Sequence, residues 1–286
     1  MNRGSIFDPQ TKGVAFEVTE RVWQAPPMSG WKEETCMLQS LAAATVAHVL
    51  DPRPGERILD MCSAPGGKST HIAQLIGDVG EVLACDRSKS KVAKIADLAS
   101  RLGFMSVKAT KADATVSIDK GIFKEESFDR VLLDPPCSAL GLRPSLRVGS
   151  VSAWSASRSR RSGTEELEKM PLYQRLMMRQ AVKALKPGGC LVFSTCTLNP
   201  RENEGNVAWA LKNLPLQLVP QDHARVGGSG LACQGLSEEQ AAMLQRFSPG
   251  QSAFAAANSH RNESTAALDE LDLYTGFFIA CFRKTM

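Results

Sequence analysis

Short apolar runs alternate with longer amphipathic stretches along the middle of the chain, an alternation typical of a parallel sheet flanked by helices. Five runs of four to seven residues predict strands, at 57–61, 81–86, 105–108, 128–134 and 190–194. Helical periodicity appears between and after them, at 68–76, 89–102, 171–185 and 201–211. Two further runs, 216–219 and 276–282, predict edge strands. We therefore predict an α/β fold with a mostly parallel, twisted sheet of about seven strands and helices on both faces.

Two regions depart from this alternation. Residues 1–50 precede the first predicted strand, and we expect them to form a lead-in segment that packs on one large domain, residues 51–286. Residues 149–163 are rich in serine and arginine and contain too few apolar side chains to pack against a core. We therefore predict that 149–163 is a mobile loop.

Composition limits the class of protein. With 286 residues, 43% of them hydrophobic and 22% charged, the chain can bury a sizeable core. A net charge of +4 is compatible with a nucleic-acid partner but does not argue for one. No apolar stretch is long enough to span a bilayer, and residues 1–10 lack the pattern of a signal peptide. We expect a protein of the cytoplasm, or alternatively of the nucleus, without a membrane partner.

The eight cysteines are scattered, with no CxxC pair. In a chain of this length without an export signal, they should be reduced thiols, and their spacing does not predict a metal site. Most should be small buried hydrophobic residues. Two of them, Cys137 and Cys196, lie in motifs that indicate another role.

A glycine-containing turn follows the first predicted strand, with the sequence Cys62-Ser63-Ala64-Pro65-Gly66-Gly67-Lys68. Paired glycines let a backbone approach a ligand, and the carboxyl end of the first strand is where α/β sheets bind nucleotide-like molecules. A P-loop is disfavoured because Cys62 stands where its first glycine is required. The turn therefore predicts a nucleotide-like ligand but no NTPase site.

Two aspartates follow the next strands. Asp86 ends the second predicted strand, where a carboxylate can accept hydrogen bonds from both hydroxyls of a ribose. The alternative is a cap for the helix that starts after it, and the sequence leaves both open. Asp113 follows the third strand, where it could meet an adenine edge.

Two cysteines stand at the ends of the fourth and fifth strands. Asp134-Pro135-Pro136-Cys137 is a stiff segment after one strand, and Cys196 lies within Ser194-Thr195-Cys196-Thr197 after the other. Neighbouring parallel strands end at the same edge of a sheet, so both thiols should open into one pocket. Either cysteine alone would more simply be a buried small residue, but the pair, with one member after Asp-Pro-Pro, favours chemistry.

Two thiols and one acid suit methyl transfer to carbon 5 of cytosine. Carbon 5 is a poor nucleophile until a thiolate adds to carbon 6 and turns the ring into an enamine. An acid at ring nitrogen 3 stabilises the charge that accumulates there. After transfer, the thiolate must be eliminated, and a second thiol can assist that release.

The motifs together resemble those of the NOL/NOP/Sun family of RNA cytosine-5 methyltransferases. The matching segments are 59–68, 133–138, 173–175 and 194–197, within a likeness that runs from about 13 to 284. The resemblance implies a Rossmann-like, S-adenosylmethionine-dependent enzyme that methylates carbon 5 of cytosine in RNA. It also implies that Cys196 is the nucleophile that forms a covalent adduct with carbon 6, and that Cys137 assists release.

The same matching assigns the remaining site residues. Lys68 and Asp134 join the two cysteines as catalytic residues, and Asp134 also contacts the target base. The residues implied to hold S-adenosylmethionine are Cys62, Ser63, Ala64, Pro65, Gly66, Gly67, Lys68, Asp86, Lys91, Asp113 and Asp134.

Further segments resemble the branch that methylates the tRNA acceptor stem, at 141–144, 244–247 and 275–280. The resemblance therefore implies a tRNA substrate. Members of that branch carry an RNA-binding PUA domain, for which this sequence has no counterpart. Either a separate RNA-binding partner replaces it, or the rim of the active site grips the RNA alone, and we expect a monomer.

Five arginines beyond Cys137 are the candidates for that grip: Arg143, Arg147, Arg158, Arg160 and Arg161. Arginine suits phosphate because its planar fork donates two parallel hydrogen bonds. The alternative is a solvated loop whose charges serve only solubility.

The sequence leaves two alternative functions, DNA methylation and a role without catalysis. DNA cytosine-5 methyltransferases use the Pro-Cys cysteine as nucleophile and need no cysteine at the fifth strand, so Cys196 argues against them. A catalytically silent RNA-binding or scaffold protein would need neither thiol.

Overall fold

The computed structural model describes residues 37, 39–142, 164–248 and 276–286. One sheet runs through these residues. Its eight strands are β1 (Arg57–Asp60), β2 (Glu81–Asp86), β3 (Val107–Lys111), β4 (Phe128–Leu133), β5 (Leu185–Thr195), β6 (Leu216–Leu218), β7 (Gln245–Phe247) and β8 (Phe277–Lys284).

The strand order confirms the predicted α/β class. It is β3-β2-β1-β4-β5-β8-β6, and β7 also pairs with β8. The first five strands pair in parallel, whereas β8 runs antiparallel to β5, β6 and β7. Parallel neighbours need crossover connections, and the helical periodicity between the apolar runs predicted several of them.

The sheet differs from the sequence expectation in two details. The short strand β7 was not predicted, so the sheet has eight strands in the described residues rather than about seven. The run at 276–282 was predicted as an edge, but β8 lies between β5 and β6. Seven of its eight residues are buried, as expected for a strand that is covered on both faces.

Helices cover both faces of the sheet. The α-helices in the described residues are α1 (Leu41–Leu50), α2 (Gly67–Leu75), α3 (Lys89–Arg101), α4 (Thr164–Ala184), α5 (Glu204–Asn213) and α6 (Glu238–Ala242), and a short 3₁₀ helix spans Asp222–Ala224. One apolar core joins the sheet to α4 and α5, and a second joins it to α1, α2 and α3. None of the helices in these residues is long and apolar enough to cross a membrane.

Alternation along the strands divides their side chains between the two cores. Leu59 and Val131 belong to the core under α4 and α5, whereas Ile58 and Leu132 face α1, α2 and α3. All four are fully buried, and each such side chain stabilises the fold by about 1.5–3 kcal/mol. The two-sided burial holds the strand ends rigidly in place.

Element boundaries differ from prediction where local hydrogen bonds intervene. The third strand begins at Val107 rather than 105, because the Asp78 carboxylate accepts hydrogen bonds from the amides of Met105 and Ser106 at 2.9 and 2.8 Å. Helix α4 begins seven residues before the predicted start at Pro171.

The division of the chain between residues 50 and 51 stays a prediction. Helix α1 belongs to the predicted lead-in segment, and its side chains Val46 and Val49 pack in the second core. The serine- and arginine-rich loop predicted at 149–163 lies outside the described residues.

Candidate active site

The candidate site lies along the edge of the sheet where the parallel strands end. Strand β1 ends at Asp60, β2 at Asp86, β4 at Leu133 and β5 at Thr195. The segments predicted to carry chemistry begin within two residues of these strand ends. The topology therefore brings them together, as expected for the carboxyl ends of neighbouring parallel strands.

A cavity of about 230 Å³ opens beside the turn between β1 and α2. Its lining residues are Met37, Gln39, Ser40, Ala43, Asp60, Cys62, Ser63, Ala64, Pro65, Gly67, Lys68 and Asp134. Gly66 caps the first turn of α2 with a φ of 111°, a left-handed value that favours glycine. Six of the seven residues of the predicted turn thus face one hollow, large enough to take part of a nucleotide-like molecule.

Asp60 was missed by the sequence analysis. Its carboxylate is fully buried, and burial raises its pKa to about 6. Ser69 Oγ donates a hydrogen bond to Oδ2 at 2.6 Å, whereas Oδ1 has no partner among the described residues. The unpartnered oxygen belongs to a residue that lines the cavity, so a ligand with hydrogen-bond donors fits there. An acid at the end of a buried strand was the available signal.

The cysteine of the same turn is not a reactive thiol. Burial raises the pKa of Cys62 well above its usual value, and its Sγ lies 3.9 Å from Met177 Sδ. A protonated, half-buried thiol is a poor nucleophile. Any contact of Cys62 with a cofactor would therefore not be covalent.

The position of Asp86 fits both predicted roles, binding of a ribose and capping of the following helix. Its Oδ1 accepts a hydrogen bond from the Ser88 amide at 2.9 Å, at the start of α3. Its Oδ2 lies 3.5 Å from Lys91 Nζ, and the Lys91 side chain is largely exposed. One carboxylate oxygen thus supports the helix start, and the other lies beside Lys91, which the family resemblance implies is a cofactor-binding residue.

Asp113 follows β3 in a tight turn. Its Oδ1 accepts hydrogen bonds from the amide and the hydroxyl of Thr115, at 3.0 and 2.7 Å. The bond from the Thr115 hydroxyl is the largest cause that lowers the pKa of Asp113, so this carboxyl is ionised at neutral pH. The turn fixes the carboxylate beyond the end of β3.

Lys68 and Asp134 form an ion pair in the wall of the cavity. Lys68 Nζ lies 2.5 Å from Asp134 Oδ2, and Ser194 Oγ donates to Oδ1 at 3.1 Å. Burial of Lys68 disfavours its charge, but Asp134 outweighs that effect and raises the pKa of the amine. The structure therefore joins the predicted catalytic lysine and aspartate into one charged unit between α2 and the end of β4.

The two predicted cysteines are in contact. Cys137 Sγ and Cys196 Sγ lie 3.2 Å apart, although the residues are 59 positions apart in the chain. A hydrogen bond from Cys137 lowers the pKa of Cys196, whereas the pKa of Cys137 is raised, first by that hydrogen bond and then by burial. The arrangement favours a thiolate on Cys196 and a protonated thiol on Cys137.

The backbone around Cys196 is tightly held. Asn203, which is fully buried, accepts a hydrogen bond from Thr195 Oγ1 at 2.5 Å and donates one to the Thr197 carbonyl at 2.9 Å. The Gly141 amide donates to the Cys196 carbonyl at 3.1 Å. A Cβ on Gly141 would lie 2.0 Å from the Gly276 carbonyl oxygen, so this close backbone crossing requires glycine. Asn203 was not singled out from the sequence.

Part of the predicted site cannot be placed. The arginines proposed to bind RNA lie outside the described residues: Arg143, Arg147, Arg158, Arg160 and Arg161. Within the residues that are described, no group of three or more histidine, cysteine, aspartate or glutamate side chains could hold a metal ion.

The chain is similar to known methyltransferases over most of its length. Residues 47–252 match the family model described as 16S rRNA methyltransferase RsmB/F. The tRNA (cytosine(72)-C(5))-methyltransferase NSUN6 of Homo sapiens is 42% identical over 99% of this chain and 61% of its own length. The tRNA (cytosine(72)-C(5))-methyltransferase of Pyrococcus horikoshii is 35% identical over 96% of this chain and 59% of its own.

A solved structure agrees with these sequence matches. NSun6 from Pyrococcus horikoshii with SFG superposes with a TM-score of 0.69 and 34% identity, covering 92% of this chain and 57% of that one. This chain therefore spans about three-fifths of the length of these relatives.

Proposed function

The chain belongs to the 16S rRNA methyltransferase RsmB/F family, and from this premise we propose that it transfers a methyl group from S-adenosylmethionine to carbon 5 of a cytosine in RNA. The observation that carries the proposal is the contact between two thiols at the ends of β4 and β5, beside the Lys68–Asp134 pair. Relatives named as tRNA cytosine-72 methyltransferases support tRNA as the substrate.

The cavity beside β1 suits the cofactor. The cofactor supplies the methyl group from a sulfonium centre and leaves as S-adenosylhomocysteine. The turn 62–68 and Asp60 would hold one end of it, and Asp86, Lys91 and Asp113 the other. Asp60 Oδ1, buried and unpartnered, fits a group that donates hydrogen bonds.

Cys196 is the nucleophile in this proposal. Its thiolate forms a bond to carbon 6 of the cytosine as the carbon 5–carbon 6 double bond opens. The electron pair moves to ring nitrogen 3, which takes up a proton supplied by the Lys68–Asp134 pair. Carbon 5, now part of an enamine, is nucleophilic enough to accept the methyl group.

Release reverses the covalent step. A water molecule takes the remaining proton from carbon 5, the carbon 5–carbon 6 double bond forms again, and the sulfur–carbon bond breaks. Its electron pair returns to Cys196, while nitrogen 3 gives back its proton. Cys137, as a protonated thiol 3.2 Å away, donates a hydrogen bond to the departing thiolate. This step explains why a second thiol is present.

The alternative in which Cys137 is the nucleophile, as in DNA cytosine-5 methyltransferases, fits less well. It would leave Cys196, whose pKa is lowered by the hydrogen bond from Cys137 and by the nearby Lys68 ammonium, without a part in forming the bond to carbon 6. A silent RNA-binding protein would gain nothing from either thiol or from the ion pair beside them.

A methylation assay tests the proposal. The purified chain is incubated with labelled S-adenosylmethionine and either a tRNA transcript or DNA of the same sequence. We expect 5-methylcytosine in the RNA only, located by bisulfite sequencing at a cytosine of the acceptor stem. Label in the DNA would contradict the proposal. So would the absence of label in any RNA, even after addition of a cell extract that can supply an RNA-binding partner.

The cofactor assignment has its own test. Replacing Asp86 by alanine should weaken S-adenosylmethionine binding by about 1.5–3 kcal/mol, the usual contribution of a hydrogen bond to a charged group. Calorimetry measures the affinity, and Asp78→Ala serves as the control because that carboxylate braces β3 away from the cavity. Unchanged affinity in Asp86→Ala would leave Asp86 only as a support for α3.

A further inference from the structure

A buried carboxylate lies behind the thiol pair. Glu202 is completely buried just before α5, and it accepts four hydrogen bonds from neutral donors. The Ser138 amide and hydroxyl donate at 3.0 and 2.5 Å, Gln174 Nε2 at 2.9 Å and Asn199 Nδ2 at 3.0 Å. No ion pair to Glu202 occurs among the described residues. A buried charge without a cation is costly, so its hydrogen bonds must be its support.

Gln174 completes this arrangement from α4. It is also fully buried, and its Nε2 donates to the Pro136 carbonyl at 3.0 Å as well as to Glu202. Asn206 Nδ2 donates to its Oε1 at 2.7 Å, which fixes the orientation of the amide. The segment 173–175 was matched to the family by sequence, but no role had been assigned to it. We call Gln174 and Glu202 the Gln-Glu clamp.

The clamp grips the chain on both sides of Cys137. Gln174 binds the carbonyl of the residue before the cysteine, and Glu202 binds the amide and hydroxyl of the residue after it. The same Ser138 hydroxyl lies 2.7 Å from Thr197 Oγ1, next to Cys196. One carboxylate thus ties the backbone of one thiol to the loop of the other.

A carboxylate suits the position of Glu202 better than an amide. Both of its oxygens face donors, so the NH₂ group of an amide would point at donors that would then have to reorient. An apolar side chain would leave the part-buried Ser138 amide without a partner. The four donors therefore favour a carboxylate at this position.

We propose that Gln174 and Glu202 are positioning residues that hold Cys137 against Cys196 and thereby govern release of the methylated RNA more than methyl transfer. This inference rests on the proposed function, because it assigns a role within that reaction. Cys196 has a second support in Asn203, whose hydrogen bonds to Thr195 and Thr197 do not use the carboxylate of Glu202. Loss of the clamp should therefore displace Cys137 more than the nucleophile.

The test is Glu202→Gln in the full chain, measured with RNA and S-adenosylmethionine. We expect methylated RNA to remain bonded to Cys196, visible as a retarded band on a denaturing gel. Turnover should fall by about 100-fold, since a displacement of about 1 Å from productive geometry has that effect. The first, single-turnover methyl transfer should change by less than about tenfold, and the KM for S-adenosylmethionine by less than about twofold, because the cofactor cavity is untouched.

Glu204→Gln is the matched control. Glu204 is equally buried two residues along, but its carboxylate pairs with Arg246 Nη1 at 2.9 Å and accepts a hydrogen bond from the Leu231 amide at 3.1 Å. The Glu204→Gln variant should have a lower melting temperature but should not accumulate the covalent adduct between Cys196 and RNA. Gln174→Met is a second test, since methionine has a similar volume but cannot donate the hydrogen bond to the Pro136 carbonyl. This variant should accumulate the same adduct even if Glu202→Gln does not fold.

The outcomes separate the two proposals. Turnover of Glu202→Gln and Gln174→Met at the parent rate without adduct would overturn the clamp while leaving the proposed function intact. Equal loss of single-turnover transfer and of turnover would also overturn it, because the clamp would then be merely structural. Absence of any methylation by the parent chain would remove the proposed function itself.

Discussion

Two pairs of cysteines meet at β5, and only one of them has the surroundings of a reactive site. Cys137 and Cys196 lie 3.2 Å apart beyond the ends of β4 and β5. Cys190 and Cys281 lie 3.5 Å apart within β5 and β8. In both pairs a hydrogen bond from one thiol lowers the pKa of the other. Proximity and mutual hydrogen bonding therefore do not distinguish them.

The difference lies in what surrounds the sulfur atoms. Cys190 and Cys281 sit within strands whose backbone groups pair along the sheet, with Arg130 and Arg283 in register with Cys190 on either side. Cys137 and Cys196 sit on loops that side chains hold, beside the Lys68–Asp134 pair and close to the cavity. A reactive thiol needs access to a substrate and a source of protons. Of the two pairs, Cys137 and Cys196 have both.

Activity should separate the two pairs most strongly. Cys196→Ala should reduce methylation by at least about 10⁴-fold, as removal of a nucleophile does in other enzymes. Cys281→Ala, at the other pair, should keep the parent rate because its thiol lies in the core. Rates are measured with labelled S-adenosylmethionine and tRNA. Comparable losses in both variants would show that the two pairs are not functionally distinct.

Alkylation should separate them more modestly, without any RNA. The pKa of Cys196 is lowered, and each unit of lowering gives about tenfold more thiolate at a fixed pH below the pKa. Cys281 is only 2% exposed and its pKa is raised, first by the hydrogen bond with Cys190. Iodoacetamide at pH 7 should therefore modify Cys196 at least about tenfold faster.

The pH dependence gives the control for that experiment. Cys233 is a half-buried thiol outside both pairs, and burial raises its pKa. As the pH is lowered, Cys233 should lose its reactivity first, and Cys196 should stay reactive to a lower pH. Mass spectrometry of the labelled peptides measures both. If Cys196 and Cys233 lost reactivity at the same pH, the proposed thiolate on Cys196 would be wrong.

The placement of both thiols at one edge of the sheet could be predicted from the sequence, because it depends on strand order alone. Asp134-Pro135-Pro136 marks the end of one strand, Ser194 and Thr195 the end of the next, and parallel neighbours end at a shared edge. The same logic located the turn before α2. Such predictions succeed where an apolar run stops at polar residues.

The supports of the site could not be predicted in this way. Gln174, Asn203 and Glu202 lie in helical or polar stretches, where periodicity makes them resemble solvent-facing positions. Each is fully buried because it meets a loop that is distant in sequence. Nothing in the local pattern reveals that Ser138 will lie against Glu202, 64 positions away. Long-range polar contacts of this kind emerge only from the assembled fold.

The division of labour between Cys137 and Cys196 is the central claim, and one gel tests it directly. Cys137→Ala and Cys196→Ala are each incubated with tRNA and S-adenosylmethionine and then denatured. The proposed mechanism predicts a covalent protein–RNA band with Cys137→Ala, since release is impaired, and none with Cys196→Ala, since the bond to carbon 6 never forms. A band with Cys196→Ala and none with Cys137→Ala would reverse the two roles and contradict the mechanism.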